Sequence, residues 1–396
     1  MSEAEYRYLT ARLAELARPR LTGTPGAEVV EGRLREELER LGYEVREIPF
    51  SLALWPTRYA LPLVASLYLT ATLRAASRLL AGQMRSARRL LLTTPLLVLG
   101  ASTGLRALTT HLPWGKIGTT NLLAYPIGGR PRYLVVAHRD SKSQPISTAA
   151  RSLSILTSII TWATLTAMAL ALQDRKKWEG QRGRRRRALG WQTLTRMIAR
   201  TTIVAGGNLL RCTIGNESPG ALDNGSGLVA LLGIARRERG EDDIAFLLTD
   251  AEELGLVGAR AAAGWLPDLE GIINLDGLDD EGDFYLIDRR LWPRGELAPH
   301  LADLIEAAAD MHDWSLERRR LPLGVLADHL PLARAGQPAV TLMHGTRDSL
   351  RRVHLPTDDT TRLRGRGIER AVELITTALQ ISRLDPKPIA PERLLG

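Results

Sequence analysis

The stretch IAFLLTDAEELGLVGAR, residues 244–260, decides the fold class. Its short apolar run, residues 244–249, predicts a strand that is buried on both faces, as in a parallel sheet. Asp250, Glu252 and Glu253 follow at once, and a helical pattern then begins. Because ligands of open α/β sheets bind outside the carboxyl ends of the strands, the two adjacent glutamates would stand at such a crevice. The alternative is that they are ordinary first-turn acids, which the helix macrodipole favours.

The composition indicates a folded chain whose metal chemistry, if it has any, does not use thiolates. The chain has 396 residues, of which 44% are apolar and 5% aromatic, enough for one large domain or two ordinary ones. Cys212 is the single cysteine, which excludes an internal disulfide and a thiolate zinc cluster. A metal site would therefore use histidines and carboxylates.

The formal charge of +9 first suggests a nucleic-acid partner, but the positions of the arginines argue against one. They crowd into residues 74–89 and 175–187, both beside apolar segments, which is the pattern of membrane topology. We therefore expect no nucleic-acid partner. The N-terminus carries early acids and no long apolar core, so we also expect no secretory signal peptide.

Further strands and helices surround the opening motif. Helical apolar spacing predicts two first helices, residues 3–18 and 26–41, and a last helix over residues 366–382. Short alternating or apolar runs predict strands at residues 42–48, at two places within 119–137, at 271–278 and at 339–343.

Four apolar stretches interrupt this pattern. Residues 59–73 and 90–105 carry no charge, but at 1.5 Å per residue each spans only roughly 23 Å of the ~30 Å hydrocarbon core. Residues 152–173 are 22 uncharged residues, long enough at roughly 33 Å to cross a bilayer. The fourth stretch, residues 188–210, contains Arg196 and Arg200 and fits a membrane helix or an amphipathic soluble helix equally well.

Five side chains form an inventory of metal ligands, and several of them follow predicted strands. They are His138, Asp223, Glu253, Asp276 and His354. Two zinc ions about 3.5 to 4 Å apart need a bridging carboxylate plus one histidine and one carboxylate each, so the count fits. Glu252 would remain free to move a proton. The chain has seven histidines and 44 acids, so spacing alone also allows accidental combinations.

Several motifs together resemble the dizinc aminopeptidase family, which includes bacterial leucyl aminopeptidases and glutamate carboxypeptidase II. They are HRDS at 138–141, PGALDNGSG at 219–227, LLTDAEELGLVGAR at 247–260, NLDGL at 274–278, ADHLPLARAGQPAVTL at 327–342 and VHLPTDDT at 353–360. The opening RLTGTPGAEVVEGRLREELERLGYEV, residues 20–45, is similar to that family too. One departure is the gap of 85 positions between His138 and Asp223, which holds the third and fourth apolar stretches.

The resemblance implies a role for each residue of the site. Asp223 would bridge two zinc ions, His138 and Asp276 would complete one, and Glu253 and His354 the other. Glu252 would be the general base, and Asp140 would orient His138. The candidates for the substrate pocket are Asp328, His329 and His344.

We expect an α/β fold with a mixed, mostly parallel central sheet flanked by helices and interrupted by two inserted apolar helical hairpins. Residues 1–50, 115–146 and 213–396 would form a discontinuous catalytic domain, and residues 51–114 and 147–212 the two hairpins. The implied function is zinc-dependent hydrolysis of peptides from the N-terminus, with Co²⁺ or Mn²⁺ as other metals that such ligands accept. The alternatives are a glutaminyl-cyclase-like transferase with a single zinc, and a non-catalytic receptor or scaffold on the same fold.

The arginine-rich turns also predict an orientation in the membrane. Short loops rich in Lys and Arg stay in the cytoplasm, so the turns at residues 74–89 and 174–187 would be cytoplasmic. The catalytic domain would then lie outside the cytoplasm, with the lipid bilayer and a peptide as its partners. Hairpins that dip into only one leaflet are the alternative, and in that case the enzyme could face the cytoplasm.

Overall fold

The computed structural model describes residues 2–174, 181–290, 295–322 and 324–384. The chain forms two compact units. The first comprises Met1–Leu52, Ile117–Ser143 and Gly215–Gly396, and the second comprises Ala53–Lys116 and Gln144–Ile214.

A mixed eight-stranded sheet forms the centre of the first unit. Its strands are β1 (Tyr43–Ala53), β2 (Lys116–Pro126), β3 (Tyr133–His138), β4 (Ile244–Thr249), β5 (Gly271–Leu278), β6 (Asp283–Ile287), β9 (Leu316–Arg319) and β10 (Ala339–Gly345), while β7 (Arg289–Arg290) and β8 (Gly295–Glu296) form a separate small ribbon. The order across the sheet is β1-β2-β4-β3-β5-β10-β6-β9. The pairs β4–β3, β3–β5, β5–β10 and β6–β9 are parallel, whereas β2–β4 and β10–β6 are antiparallel. The predicted mixed, mostly parallel sheet is confirmed.

The register of the central strands brings the ends of three motifs to one edge. His138 at the end of β3 pairs with Thr249 at the end of β4, so the acidic turn after β4 begins beside His138. On the other side of β3, Val136 pairs with Asn274 of β5, which places Asp276 two residues further along the neighbouring strand. Parallel strands end at the same edge of a sheet, and this edge carries the candidate ligands.

Helices cover both faces of this sheet. Val135 packs into one apolar cluster with α1 (Glu3–Leu16), α2 (Pro25–Arg40), α8 (Ser226–Arg237), α10 (Pro299–Met311) and α13 (Arg366–Leu384). Its neighbours Leu134 and Val136 point into a second cluster that contains residues of α9 (Val257–Ala262) and α11 (His329–Arg334). Successive side chains of a strand point to opposite faces, so this alternation fixes the three layers.

Some elements are absent from the sequence prediction. Strands β6 and β9, helices α10 and α11, and the short helix α12 (Ser349–Arg352) were not predicted. Strand β9 reads LERR and lies at the end of the sheet order, where a strand has one neighbour and tolerates charges. Its three charged residues hide the alternation that marks a half-buried strand.

The second unit consists of helices. They are α3 (Leu54–Arg58), α4 (Ala60–Leu80), α5 (Met84–His111), α6 (Thr148–Asp174) and α7 (Gln181–Leu210). Among the described residues, three segments are long and apolar enough to cross a membrane by length and composition: Ala60–Leu80, Met84–His111 and Thr148–Ala171. Helices α4 and α5 are longer than the uncharged runs because they include flanking arginines. Residues 175–180 of the predicted second turn lie outside the described residues.

Small side chains let the helices of the second unit approach closely. A buried cluster joins Ala75, Ala76 and Ala87 to larger side chains such as Leu165 and Met168. Gly206 of α7 faces Leu69 of α4, and a Cβ at that position would meet the Leu69 side chain at 2.4 Å. Small residues at such positions let helix backbones approach closely and pack through van der Waals contacts.

Candidate metal centre

The first group of candidate ligands surrounds His138, at the carboxyl end of β3. Its Nε2 lies 3.1 Å from Oδ1 of Asp223 and 3.9 Å from Oδ1 of Asp276. Its Nδ1 lies 3.1 Å from the main-chain oxygen of Asp140. A proton on Nδ1 satisfies that carbonyl, so Nε2 faces the two carboxylates and can either bind a metal ion through its lone pair or carry a second proton.

The second group shares Asp223 with the first. Nε2 of His354 lies 3.0 Å from Oδ2 of Asp223 and 3.1 Å from Oε1 of Glu253. Oδ1 of Asp223 therefore faces one histidine and Oδ2 faces the other. The structure brings all five candidate ligands together as two triads with one common carboxylate.

The chemistry of these donors fits divalent cations. A lone pair of His138 and two carboxylates all point towards one place, and acceptors facing acceptors repel unless a cation or a proton lies between them. In the second triad, Oε1 of Glu253 is buried, and apart from the ion-pair contact with His354 it accepts no hydrogen bond within the described part of the chain. Buried polar atoms almost always have a partner, so this oxygen is suited to a metal ion. Nitrogen and carboxylate oxygen donors are a usual set for zinc.

The charges in the cluster perturb one another strongly. Burial opposes the charged form of His138, but Asp140, Asp223 and Asp276 outweigh it and hold its pKa well above the ordinary value. Burial likewise opposes ionisation of Asp223, yet the two histidines hold the pKa of this carboxyl well below its usual range. Shifted groups that face one another in a crevice are typical of functional sites.

Glu252 belongs to neither triad. Burial, helped by the carboxylates of Glu253 and Asp328, raises the pKa of Glu252 well above its ordinary value despite the opposing effect of His138. The residue before it, Ala251, has a left-handed backbone with φ of 56°. Strain of this kind is uncommon outside functional sites. A carboxyl with a raised pKa beside a metal centre is suited to carrying a proton.

Two aspartates hold the ligand loops through their backbone amides. The carboxylate oxygens of Asp140 accept the N–H groups of Glu252 and Glu253, each at 3.1 Å. Asp358 does the same for the loop of the shared ligand, since it accepts the N–H of Leu222 at 2.8 Å and that of Asp223 at 3.1 Å. Asp140 also lies beside His138, with 3.5 Å between Oδ1 and Nδ1, but the ring is nearer to its carbonyl. Its closest carboxylate contacts are therefore with the glutamate turn.

Two basic residues of the site were not found from the sequence. The ammonium of Lys142 lies 2.5 Å from Oε2 of Glu253 and, after the opposing effect of burial, helps His354 lower the pKa of Glu253 to about 2. Arg20 is fully buried beneath the loops. Lys142 directly follows HRDS and Arg20 opens RLTGTPG, so both motifs contained a signal.

The three candidate pocket residues lie in different surroundings. Asp328 accepts a hydrogen bond from the hydroxyl of Thr249 at the end of β4, and burial raises its pKa to about 7. His329 is buried with its Nδ1 2.5 Å from Oγ1 of Thr341, and it lines a cavity of about 470 Å³. His344 bonds to the carbonyl of Asp279 and packs on Phe284, and it is in neither triad.

Solved structures with the same fold cover nearly the whole chain. A leucine aminopeptidase precursor from Bacteroides thetaiotaomicron is 15% identical, with a TM-score of 0.54 over 95% of each chain. A zinc aminopeptidase from Bacillus subtilis is 14% identical, with a TM-score of 0.52 over 95% of each chain. A glutaminyl cyclase from Porphyromonas gingivalis is 14% identical, with a TM-score of 0.52 over 96% of this chain and 98% of the other. At these identities the matches establish the fold.

A comparison by sequence finds a family model that matches part of the chain. No curated protein matches the chain. Residues 208–379 match the model of Peptidase family M28, and this segment contains Asp223, Glu252, Glu253, Asp276 and His354. The predicted resemblance of this chain to the dizinc aminopeptidase family is therefore confirmed.

Proposed function

We propose that the chain is a zinc-dependent peptidase that removes residues from the N-termini of peptides. The observation that carries this proposal is the pair of triads that share Asp223, because each offers one histidine and two carboxylates. Such sets hold zinc, and two zinc ions with a common carboxylate are a recurring arrangement in aminopeptidases. When bound, the ions would polarise the peptide carbonyl and make water more acidic.

In this proposal, one side chain of the site transfers the proton and two others hold the glutamates in position. Glu252 would take a proton from the attacking water and deliver it to the nitrogen of the leaving amine as the peptide bond breaks. Asp140 keeps Glu252 and Glu253 in one rigid turn through their amides. Lys142 holds Oε2 of Glu253, which leaves Oε1 directed at the second triad. Proton carrier and ligand therefore stay separate although they are adjacent in sequence.

The test combines metal counting with one substitution. The purified full-length chain should contain two divalent ions, and a chelator should abolish peptide hydrolysis. Glu252→Gln should keep both ions but lose turnover by roughly 100-fold or more, because it removes the proton carrier alone. Asp223→Ala is the matched comparison, since loss of the shared ligand should release metal. Near-native turnover by Glu252→Gln would show that Glu252 is not the base.

A specificity for N-termini can be tested with blocked peptides. Glu252 and Asp328 are buried acids outside both triads, so bound metal ions would leave them available, and when ionised they favour a cationic α-amino group over a carboxylate. A peptide with a free N-terminus should be cleaved, whereas its N-acetylated form should not, and amidation of the C-terminus should have little effect. Cleavage of the acetylated peptide with dependence on a free C-terminus would instead indicate a carboxypeptidase.

A glutaminyl-cyclase-like transferase is the second candidate. It is favoured by the structural match to a glutaminyl cyclase, whose TM-score equals that of one zinc aminopeptidase. This reading expects one zinc per chain and release of ammonia from peptides that begin with glutamine. Two ions per chain and release of free amino acids would support the peptidase instead.

We also propose that the second unit enters a membrane and that the catalytic unit lies outside the cytoplasm. The support is the set of three helices long and apolar enough to span, together with the arginines that flank the turn between α4 and α5, in the last turns of α4 and the first turns of α5.

A further inference from the structure

The second unit contains an apolar cavity between its helices. Its volume is about 460 Å³, and its lining residues come from α4, α5, α6 and the end of α7. They include Ala65, Val98 and Trp162. Two further lining residues, Leu99 and Ile159, are 62% and 46% exposed, so the cavity opens onto the surface of the unit. That surface also carries Leu96, which is 71% exposed. In a bilayer the opening would face hydrocarbon.

Among the residues that the structure describes, one polar atom in the cavity has no hydrogen-bond partner. Ser158 lines the cavity and is 6% exposed, and its hydroxyl makes no hydrogen bond within the described residues. Its main-chain carbonyl, by contrast, accepts hydrogen bonds from Tyr68 and Thr161. An unpaired buried hydroxyl is costly. A ligand with an apolar body and a hydrogen-bonding carbonyl would satisfy both features.

Three exposed arginines lie within about one turn of lining residues. Arg58 precedes Leu61 by three positions, Arg106 follows Ser102 by four, and Arg211 follows Leu209 by two. Main-chain and side-chain contacts join their segments, because Ile214 N–H donates to the carbonyl of Arg58 at 3.2 Å and the hydroxyls of Thr57 and Thr109 lie 2.8 Å apart. Residues 53–116 contain no acid, and residues 144–214 contain only Asp174 and Glu179.

We propose that this cavity binds one acyl chain of an anionic glycerophospholipid. The Ser158 hydroxyl donates to the ester carbonyl of the chain, and Arg58, Arg106 and Arg211 hold the phosphate. Guanidinium groups are suited to phosphate because they donate in a planar fork. The proposal goes beyond the peptidase activity and rests on the membrane insertion proposed above.

The experiment measures lipid retained by the full-length chain. The protein is exchanged from detergent into vesicles of phosphatidylcholine alone or with phosphatidylglycerol, re-extracted, and examined by native mass spectrometry. We expect one phosphatidylglycerol per chain and no retained phosphatidylcholine. Val98→Trp fills the cavity and should weaken retention at least tenfold. Leu97→Trp is the matched control, since Leu97 is exposed and does not line the cavity.

Further variants separate the parts of the site. Ser158→Ala cannot clash, so it keeps the test valid if Val98→Trp fails to fold, and it should weaken retention about fivefold through loss of one hydrogen bond. The double variant Arg58→Gln and Arg106→Gln should remove the preference for phosphatidylglycerol. The double variant Arg85→Gln and Arg89→Gln, in the first two turns of α5, should not.

Two results would overturn the proposal. Both lipids carry a phosphate but only phosphatidylglycerol is anionic, so equal retention of the two would exclude selection of an anionic headgroup. Retention unchanged by both Val98→Trp and Ser158→Ala would exclude the cavity. Resistance of the protein to alkaline carbonate separates this failure from failure of membrane insertion, since a chain that stays in the membrane without bound lipid refutes the lipid site alone.

Discussion

Arg20 is a buried cation that is held by carbonyl oxygens. Its Nε donates to the carbonyl of Arg139 at 2.8 Å, and its Nη groups donate to the carbonyls of Pro219 at 2.5 Å and Gly220 at 2.9 Å. One side of the guanidinium thus holds the loop of His138, and the other holds the loop of the shared ligand Asp223. Arg20 is a positioning residue, because it acts on the triads through their main chain.

Replacing Arg20 should therefore weaken metal binding without touching a ligand. We expect Arg20→Met to lower zinc affinity by roughly 10- to 100-fold, as measured by competition with a chromophoric chelator. Arg20→Lys should restore part of the affinity, because an ammonium still donates to some of these carbonyls. Arg237→Met is the control, since Arg237 pairs with Glu5 and Glu373 and its loss should lower stability alone. Equal zinc affinity in Arg20→Met and the wild type would refute the positioning role.

His329 should make the stability of the metal-free protein depend on pH. Burial lowers the pKa of His329 from 6.5 to about 3 in the folded chain. Between these values the unfolded chain binds a proton that the folded chain does not, so stability is full above pH 6.5 and falls as the pH drops towards 3. The contribution is about 1.4 kcal/mol per pH unit in that window.

The measurement is the thermal midpoint of the chelator-treated chain in detergent between pH 7 and pH 5. On acidification the thermal midpoint of the wild type should fall relative to that of His329→Gln, because the glutamine side chain does not titrate and the other titrating groups are the same in both proteins. The same acid sensitivity in both proteins would show that His329 is not responsible.

Some residues of the site could be predicted from the sequence, and others could not. Glu253 and Asp276 are found from the sequence because each follows or ends a short apolar run that predicts a buried strand, and both runs are strands in the structure. Arg20 and Lys142 are not, because the partners that tie them to the ligand loops lie 119 and 111 positions away or further and no periodicity connects them. Their roles depend on contacts that exist only after the loops have come together.

At the scale of elements, a proline and a tryptophan join α5 to α6. Pro95 lies inside α5 and has no N–H to donate to the carbonyl four residues before it, that of Leu91. Nε1 of Trp162 in α6 donates to this carbonyl instead, at 2.9 Å. The hydrogen bond that the proline removes within one helix is thus replaced by one between helices.

A double-mutant cycle can measure this replacement. Trp162→Phe should destabilise the chain by about 1 kcal/mol through the unpaired carbonyl, in addition to any packing loss. In a Pro95→Ala background the alanine N–H can bond to Leu91, so the same tryptophan change should cost less. Thermal unfolding of the four proteins in detergent gives the coupling. Equal costs in the two backgrounds would mean that the carbonyl does not depend on Trp162.

Helices and strands could be predicted where burial requires a regular or continuous pattern of apolar residues. All six residues of β4 are buried, so its apolar run survives as a signal although one of its neighbours is antiparallel. Strand β9 has no such run because it lies at the end of the sheet. The lengths of α4 and α5 were underestimated because a helix continues through arginines that end an apolar run.

At the scale of the whole molecule, positive charge is concentrated in the second unit. Residues 53–116 carry eight Lys and Arg, and residues 144–214 carry twelve against two acids, so the rest of the chain is acidic although the total is +9. A catalytic unit that is acidic overall and an inserted unit that is strongly basic suit different surroundings.

The predicted orientation can be tested with an impermeant thiol label in a Cys212→Ser background. Gln83→Cys marks the exposed turn between α4 and α5, and Glu281→Cys marks an exposed position of the catalytic unit. Intact cells should label at position 281 and not at position 83, because basic turns stay in the cytoplasm. Labelling at 83 but not at 281 would reverse the orientation, and extraction by alkaline carbonate would exclude integration into the membrane.

Each insertion starts and ends at neighbouring positions of the sheet unit, so its helices could be added or removed with little change in the sheet. Ser143 and Gly215 exchange two backbone hydrogen bonds, at 2.9 and 2.8 Å, and thereby close the second insertion at its base. The first insertion leaves from β1 and returns at β2, which are neighbours in the sheet. Closing a longer loop costs only about 0.6 kcal/mol for each doubling of its length. An ancestor with two short connections at these places could have acquired the inserted helices, and a descendant could lose them, without a change in the ligand loops.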